Sequence, residues 1–320
     1  MLLGDLIELR HGPVRDALDA AAPVLAAIGE ALGDGGEAVI VPGNHDHELV
    51  RAWTERTARR TAPPPLGLST ALDWRAGEPL AAVARALKPA RVTAAYPGVW
   101  LREDVYALHG HYGDRHTTVP MLERLGAGAM ALTIGQRDPA PERAEDYEAT
   151  LAPLYAWIHA IAQTGGQNLG PPTLSSHGTS GRAWGALSGA RRGGLRRRAL
   201  VAGFPLVIGA LNRAGFGPLR AELSGSELRR AGVRAAAEVV RRLRIDARYV
   251  LFGHTHRAGP VARDDRSEWT VAARTDLINT GCWVHERAFL GADPASSPYR
   301  AGFAVRLADE GPPALVNLLD

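Results

Sequence analysis

Apolar residues occur in this chain with two spacings, one typical of helices and one typical of strands. Residues 16–32 carry apolar side chains at the three- and four-residue intervals of an amphipathic helix, and a glycine-rich stretch at 33–36 ends that pattern. Mostly apolar runs at 38–41 and 247–252 are short, as in buried strands. Because residues 1–3 look like the end of another strand, the opening order of strand, loop, helix and strand predicts an α/β fold.

Weaker patterns predict the remaining elements. Helices are expected at residues 46–60, 80–87 and 226–243. Three strands are expected at residues 92–95, 99–102 and 105–108. Five more short strands, expected to form a second sheet, follow at residues 269–272, 277–279, 283–286, 302–307 and 314–318.

The middle of the chain has a different character. Between residues 117 and 231, Gly- and Pro-rich pieces alternate with helix-like ones, and the stretch is far longer than an ordinary connection between a strand and a helix. It contains no Asp or Glu between Glu148 and Glu222, whereas several arginines cluster at Arg191–Arg198. We therefore expect a mostly helical, Arg-rich inserted cap at 117–231, flanked by a core at 1–116 and 232–320.

Composition narrows the class of protein. The 320 residues carry a net charge of +3 and a single cysteine, Cys282, which fits a reducing cytoplasmic environment and excludes an internal disulfide framework. No signal-peptide pattern opens the chain, and no apolar stretch reaches the roughly 20 residues of a membrane-spanning helix. We find no motif for binding nucleic acid.

Polar residues stand at the ends of the predicted strands, where open α/β sheets bind their ligands. Carboxylate, amide and imidazole groups of this kind are suitable ligands for Mn, Fe or Zn. They do not indicate a structural zinc cage, because no thiolate is present. A carboxylate could bridge two such ions about 3.5–4 Å apart and so clamp a phosphate. The candidates are Asp5, Glu8, Asn44, His45, His109, His254 and His256.

These residues occur in an ordered set that resembles the signature of the calcineurin-like metallophosphoesterases. That signature runs Asp-x-His, Gly-Asp-x-x-Asp, Gly-Asn-His-Asp/Glu, His and Gly-His-x-His. Four of its five blocks are present in order, as Gly4-Asp5-x-x-Glu8, Gly43-Asn44-His45-Asp46, His109 and Gly253-His254-x-His256. The resemblance implies a four-layer α/β/β/α sandwich, in which two mixed sheets pack face to face with helices outside and the cap is inserted.

The resemblance also implies roles for the individual residues. Asp5 would bridge two divalent ions, with Mn favoured over Fe or Zn, and a metal-bridging hydroxide would attack a phosphomonoester, phosphodiester or pyrophosphate. Asn44, His109 and His254 would complete one ion site, and His256 would bind the other ion. His45 would protonate the leaving oxygen, with Asp46 orienting it. Glu8 and His111 are candidates for contacts behind these ligands.

The first block of the signature is absent, which leaves alternatives open. The ion bound by His256 would keep only Asp5 and His256, so one site is expected to be weakened, and we expect the natural chain to begin upstream of Met1. One alternative is a non-catalytic scaffold of the same family. Another is a membrane-peripheral lipid pyrophosphohydrolase with a weak anionic membrane contact through Arg191–Arg198, so the substrate is a phosphorylated small molecule or a lipid.

Overall fold

The long strand at residues 91–102 joins the two halves of the sheet. A computed structural model describes residues 1–119, 122–133, 141–163, 205–220, 225–285, 287–290 and 293–320. Its strands are β1 (Leu2–Leu3), β2 (Glu37–Val41), β3 (Ser69–Ala71), β4 (Arg91–Arg102), β5 (Val105–Leu108), β6 (Tyr249–Phe252), β7 (Ala258–Gly259), β8 (Thr270–Val271), β9 (Thr275–Thr280), β10 (Phe303–Arg306) and β11 (Ala314–Asn317). Its helices are α1 (Val14–Leu32), α2 (Glu48–Ala58), α3 (Pro79–Ala86), α4 (Leu122–Thr133), α5 (Ala144–Gln163), α6 (Gly225–Arg242) and α7 (Arg287–Leu290).

The main sheet is mixed, with strand order β1-β2-β4-β5-β6-β9-β7, while β3 pairs with β4 and β8 with β9. β1, β2 and β4 are parallel, β5 is antiparallel to β4, and β6 and β9 continue parallel to β5. The predicted strands 92–95 and 99–102 are one strand, β4, because β2 bonds its first part and β5 bonds its second. The fold is thus mixed α/β with a curled sheet, and the four-layer sandwich stays a prediction.

The prediction of a second sheet from all the late strands is wrong in part. β9 lies beside β6 in the main sheet, and β8 pairs with β9, so only β10 and β11 form the separate two-stranded sheet. Residues 283–285 form no strand; the neighbouring Cys282 makes only an isolated bridge to Ala301. Residues 269–272 give the short β8, because Trp269 ends a 3-10 turn and the left-handed backbone of Ala272 turns the chain toward β9.

Helix α5 packs against the sheet. Tyr147, Leu151 and Leu154 of α5 belong to the same buried apolar cluster as Tyr106 of β5 and Phe252 of β6. A second apolar cluster lies under α1, α2 and α3. That residues 117–231 form an insertion stays a prediction, and the basic segment 191–198 lies outside the described residues. Within the described ranges, no helix has both the length and the apolar character needed to cross a membrane.

Candidate metal centre

The register of the sheet explains why distant polar residues meet. β2 runs parallel to β4 until Ile40 pairs with Ala94, whereas β5 runs antiparallel to β4 until Leu108 pairs with Gly98. The carboxyl ends of β2 and β5 therefore both reach the middle of β4. β1 and β6 lie beside β2 and β5, so the loops after all four strands converge at one place.

Gly4 and the side chain of Asp46 hold Asp5 in that place. Gly4 has φ of +73°, and a Cβ atom there would overlap the His109 ring, so only glycine permits this approach. The buried carboxylate of Asp46 then accepts hydrogen bonds from the backbone N–H groups of Gly43 (2.6 Å), Leu6 (2.8 Å) and Asp5 (3.3 Å). Asp46 thus fixes the loop that carries Asp5.

Asp5, His109 and His254 form a cluster that could hold a metal ion, since one donor atom from each lies within 4.8 Å of the others. Oδ2 of Asp5 lies 3.1 Å from Nε2 of His109. The partners of the other ring nitrogens fix both tautomers, because Nδ1 of His109 donates to the Leu3 carbonyl (2.9 Å) and Nε2 of His254 donates to Asp114 (2.8 Å). The lone pairs of His109 Nε2 and His254 Nδ1 are left for the cluster.

Asn44 adds an amide to this cluster. The residue is buried, and one end of its amide lies 3.2 Å from His254 Nδ1, 3.2 Å from His109 Nε2 and 3.3 Å from Asp5 Oδ1. These three neighbours are acceptors, so without an ion this end carries the NH₂ group and the amide oxygen faces Arg10 at 3.3 Å. A cation in the cluster would favour the reversed amide, with its oxygen toward the ion.

The charges of the cluster suit a cation. Burial alone would raise the pKa of Asp5, but the imidazoles of His109, His45 and His254 hold that pKa well below its usual value, so the carboxylate is ionised. Burial lowers the pKa of His256 to about 4, so this imidazole is neutral at pH 7 and has a lone pair to offer. A carboxylate oxygen and imidazole nitrogens are the ligands that Mn, Fe and Zn accept, so the residues fit such an ion.

The predicted residues do not all join the cluster. The negative charge of Asp5 favours the protonated form of His256, but His256 is not one of the three residues whose donor atoms converge. His111 lies behind His109, with ring centroids 5.6 Å apart, and its Nε2 donates a hydrogen bond to the hydroxyl oxygen of Tyr96 (3.0 Å), whose own proton is donated to Glu148. Burial holds the pKa of His111 well below its usual value, so it is a neutral buried residue.

His45 stands at the edge of the cluster, where its imidazole contacts Glu8. Its Nε2 lies 3.9 Å from Oδ2 of Asp5, and its Nδ1 is in close contact with the carboxylate of Glu8. The carboxylate of Asp46 accepts hydrogen bonds from backbone N–H groups, and its role in orienting His45 stays a prediction. Glu8 contacts this ring directly, and the Arg10 guanidinium lies 2.8 Å from His45 Nδ1.

Three residues that contact the site could not be identified from the sequence. Arg10, Asp114 and Glu148 stand in no recognisable motif, and each meets its partner across a long stretch of chain. Glu148 contacts three side chains of the core. Its carboxylate accepts hydrogen bonds from Nε2 of His47 (3.0 Å) and from the hydroxyls of Tyr96 (2.6 Å) and Tyr112 (2.7 Å).

A narrow cleft opens beside the cluster, between α2 and α5. Asn44 and His45 line both the cluster and the cleft, so the two are continuous. The other walls of the cleft include Arg10, Glu48 and Arg51 on one side and Ala156 and His159 of α5 on the other.

Comparisons of the chain with protein-family models, with curated proteins and with solved structures found no match.

Proposed function

We propose that this chain is a metal-dependent hydrolase of phosphate esters. The observation that carries the proposal is the convergence of Asp5, His109 and His254, with His45 at its edge and held by Glu8. A metal-binding cluster beside a histidine oriented by a carboxylate combines a site for a phosphate with a proton donor. The ordered motifs that resemble the metallophosphoesterase signature support the same conclusion.

The residues of this site would have different roles. His45 would donate a proton from its imidazole to the leaving oxygen, and the Glu8 carboxylate would stabilise the protonated ring and set its direction. Arg10 lies against the same ring, where its guanidinium could also bind phosphate oxygens. Asp46 would act only through the loop that it holds.

Asp5, His109, His254 and Asn44 would hold one divalent ion, and His256 with Asp5 would hold a second, weaker one. We favour Mn because the donors mix oxygen and nitrogen without thiolate. Bound divalent ions supply Lewis acidity, which polarises the phosphate and lowers the pKa of water.

A non-catalytic metal-binding scaffold is the second candidate. The observation that favours it is that, within the described part of the chain, only one set of three His, Cys, Asp or Glu residues converges closely enough to hold an ion. A scaffold needs neither His45 nor Glu8 for its ion, so the two candidates differ in what these residues do.

The experiment compares His45→Gln with His285→Gln, a change at an exposed histidine outside the site. Metal content is measured by elemental analysis after purification in Mn²⁺, and turnover with p-nitrophenyl phosphate and bis(p-nitrophenyl) phosphate. We expect His45→Gln to retain bound Mn²⁺ and to lose activity by about 100-fold or more, with His285→Gln unchanged. Bound Mn²⁺ without hydrolysis of either ester in the native chain would favour the scaffold.

A further inference from the structure

We infer that Asn279 is a positioning residue of the candidate metal centre, because its amide holds the turn that carries His254 and His256. This inference rests on the metal centre of the proposed function, in which both histidines bind divalent ions. Asn279 lies near the end of β9 and stands in none of the motifs that carry the candidate ligands. It is 1% exposed, so its amide needs partners inside the protein.

The partners of this amide lie on both sides of His254. Nδ2 of Asn279 donates to the Gly253 carbonyl (3.2 Å) and to Oγ1 of Thr255 (2.7 Å), so both of its hydrogens are used. Oδ1 of Asn279 accepts a hydrogen bond from the backbone N–H of Gly281 (2.9 Å). A carbonyl oxygen and a backbone N–H thus determine the orientation of the amide. One side chain of β9 therefore ties down the turn that follows β6.

The turn that Asn279 holds has an uncommon backbone. His254 has φ of +64° and His256 has φ of +59°, in the left-handed region that residues with a Cβ atom seldom adopt. Such a conformation persists where the surrounding contacts determine it. The two hydrogen bonds from Asn279 act on the residues immediately before and after His254, so they restrict the direction in which its imidazole leaves the backbone.

Other contacts join the same turn to the rest of the centre. The backbone N–H of Gly253 donates to the carbonyl of His109 (2.9 Å), so the turn is tied to a second candidate ligand. Helix α6 approaches Thr255 closely, since a Cβ atom at Gly232 would lie 3.0 Å from Cγ2 of Thr255. Loss of the Asn279 amide would therefore change the geometry of the candidate ligands without removing any of them.

The test measures the Mn²⁺ affinity of the full chain by calorimetry, after bound metal has been removed with EDTA and the EDTA dialysed away. We expect Asn279→Ala to weaken Mn²⁺ binding by about tenfold or more, since loss of a group that orients a ligand costs about 10–100-fold in metal affinity. The electron paramagnetic resonance spectrum of bound Mn²⁺ at saturation should also differ from that of the native chain. Both readouts are independent of turnover.

Asn317→Ala is the matched control. The amide of Asn317 also joins two backbone groups, the Ala301 carbonyl (3.0 Å) and the Leu319 N–H (2.9 Å), but it lies in the separate sheet of β10 and β11. We expect the Mn²⁺ affinity of this variant to stay within about twofold of the native value, because distant sites act independently. Urea unfolding in EDTA measures the loss of stability in both asparagine variants separately from their metal affinity.

A milder pair of variants at Thr255 tests one contact alone. Thr255→Val keeps the shape of the side chain and removes the hydroxyl that accepts from Asn279, whereas Thr255→Ser keeps that hydroxyl. We expect Thr255→Val to weaken Mn²⁺ binding by about two- to tenfold, which corresponds to one hydrogen bond. Thr255→Ser should bind Mn²⁺ as the native chain does.

Native Mn²⁺ affinity in Asn279→Ala, or an equal loss in Asn317→Ala, would overturn the positioning role while the proposed function stands. Equal affinities of Thr255→Val and Thr255→Ser would do the same. Failure of the native chain to bind Mn²⁺ would overturn the proposed function and this inference with it. The expected losses of affinity in a chain that hydrolyses no ester would support the positioning role within the non-catalytic scaffold.

Discussion

Replacement of Glu148 tests whether α5 and the candidate site form one structural unit. The side chain of Glu148 is only 13% exposed, and its oxygens accept hydrogen bonds from His47 beside the Asn44–Asp46 loop, from Tyr96 of β4 and from Tyr112 after β5. Burial alone would raise the pKa of Glu148, but these donors lower it, so the carboxylate is ionised at neutral pH. One side chain thus connects α5 with three parts of the core.

The expected cost follows from the groups left behind. A hydrogen bond to a charged group contributes about 1.5–3 kcal/mol, and removal of one partner of a buried charged set costs about 3–5 kcal/mol. Glu148→Ala leaves one buried imidazole N–H and two buried hydroxyls without their acceptor. We therefore expect the free energy of unfolding to fall by about 3–5 kcal/mol, with a smaller loss in Glu148→Gln, which keeps one acceptor oxygen.

The assay is urea unfolding followed by circular dichroism, with EDTA present so that bound ions do not contribute to stability. The control is Glu55→Ala, which removes an exposed ion pair on α2 and should change stability by about 0.5 kcal/mol or less. A double-mutant cycle of Glu148→Gln with Tyr96→Phe should show a coupling energy of about 1 kcal/mol or more. A loss below about 1 kcal/mol in Glu148→Ala would refute the role of Glu148 as a shared acceptor.

Two further predictions concern histidines. Asp114→Ala should weaken Mn²⁺ binding by about 10–100-fold in calorimetry, because Asp114 holds the ring of His254; the control Asp309→Ala, at an exposed site, should not. Burial lowers the pKa of His116 to about 3 in the folded chain, against about 6.5 in the unfolded chain. Between pH 6.5 and 3, therefore, only the unfolded chain binds this proton. The free energy of unfolding falls by about 1.4 kcal/mol for each pH unit as the pH drops through that range. In His116→Gln, the free energy of unfolding in urea should depend less on pH over that range. An unchanged dependence on pH would contradict the role of His116.

The long elements could be predicted from the sequence because their patterns are local. Helix α1 begins two residues before its predicted start and ends at Leu32 as predicted, and α6 differs from its prediction by one residue at each end. The polar residues at the strand ends could be identified for the same reason, since each stands directly after a run of apolar residues. The sheet to which each late strand belongs could not be predicted, because β9 and β10 have similar short patterns and differ only in the strands that they pair with.

The partners of the site residues could not be predicted, because they depend on contacts across the fold. The resemblance implies that Asp46 orients the imidazole of His45, whereas the carboxylate of Asp46 lies in a tight turn and accepts hydrogen bonds from the backbone N–H groups of Gly43 and Leu6. Glu8, 37 residues away from His45, contacts Nδ1 of that imidazole. Asp114 meets His254 across 140 residues, in a pairing that no spacing rule encodes. Motifs thus indicate which atoms could bind an ion, whereas the tautomers that free those atoms are decided by residues outside the motifs.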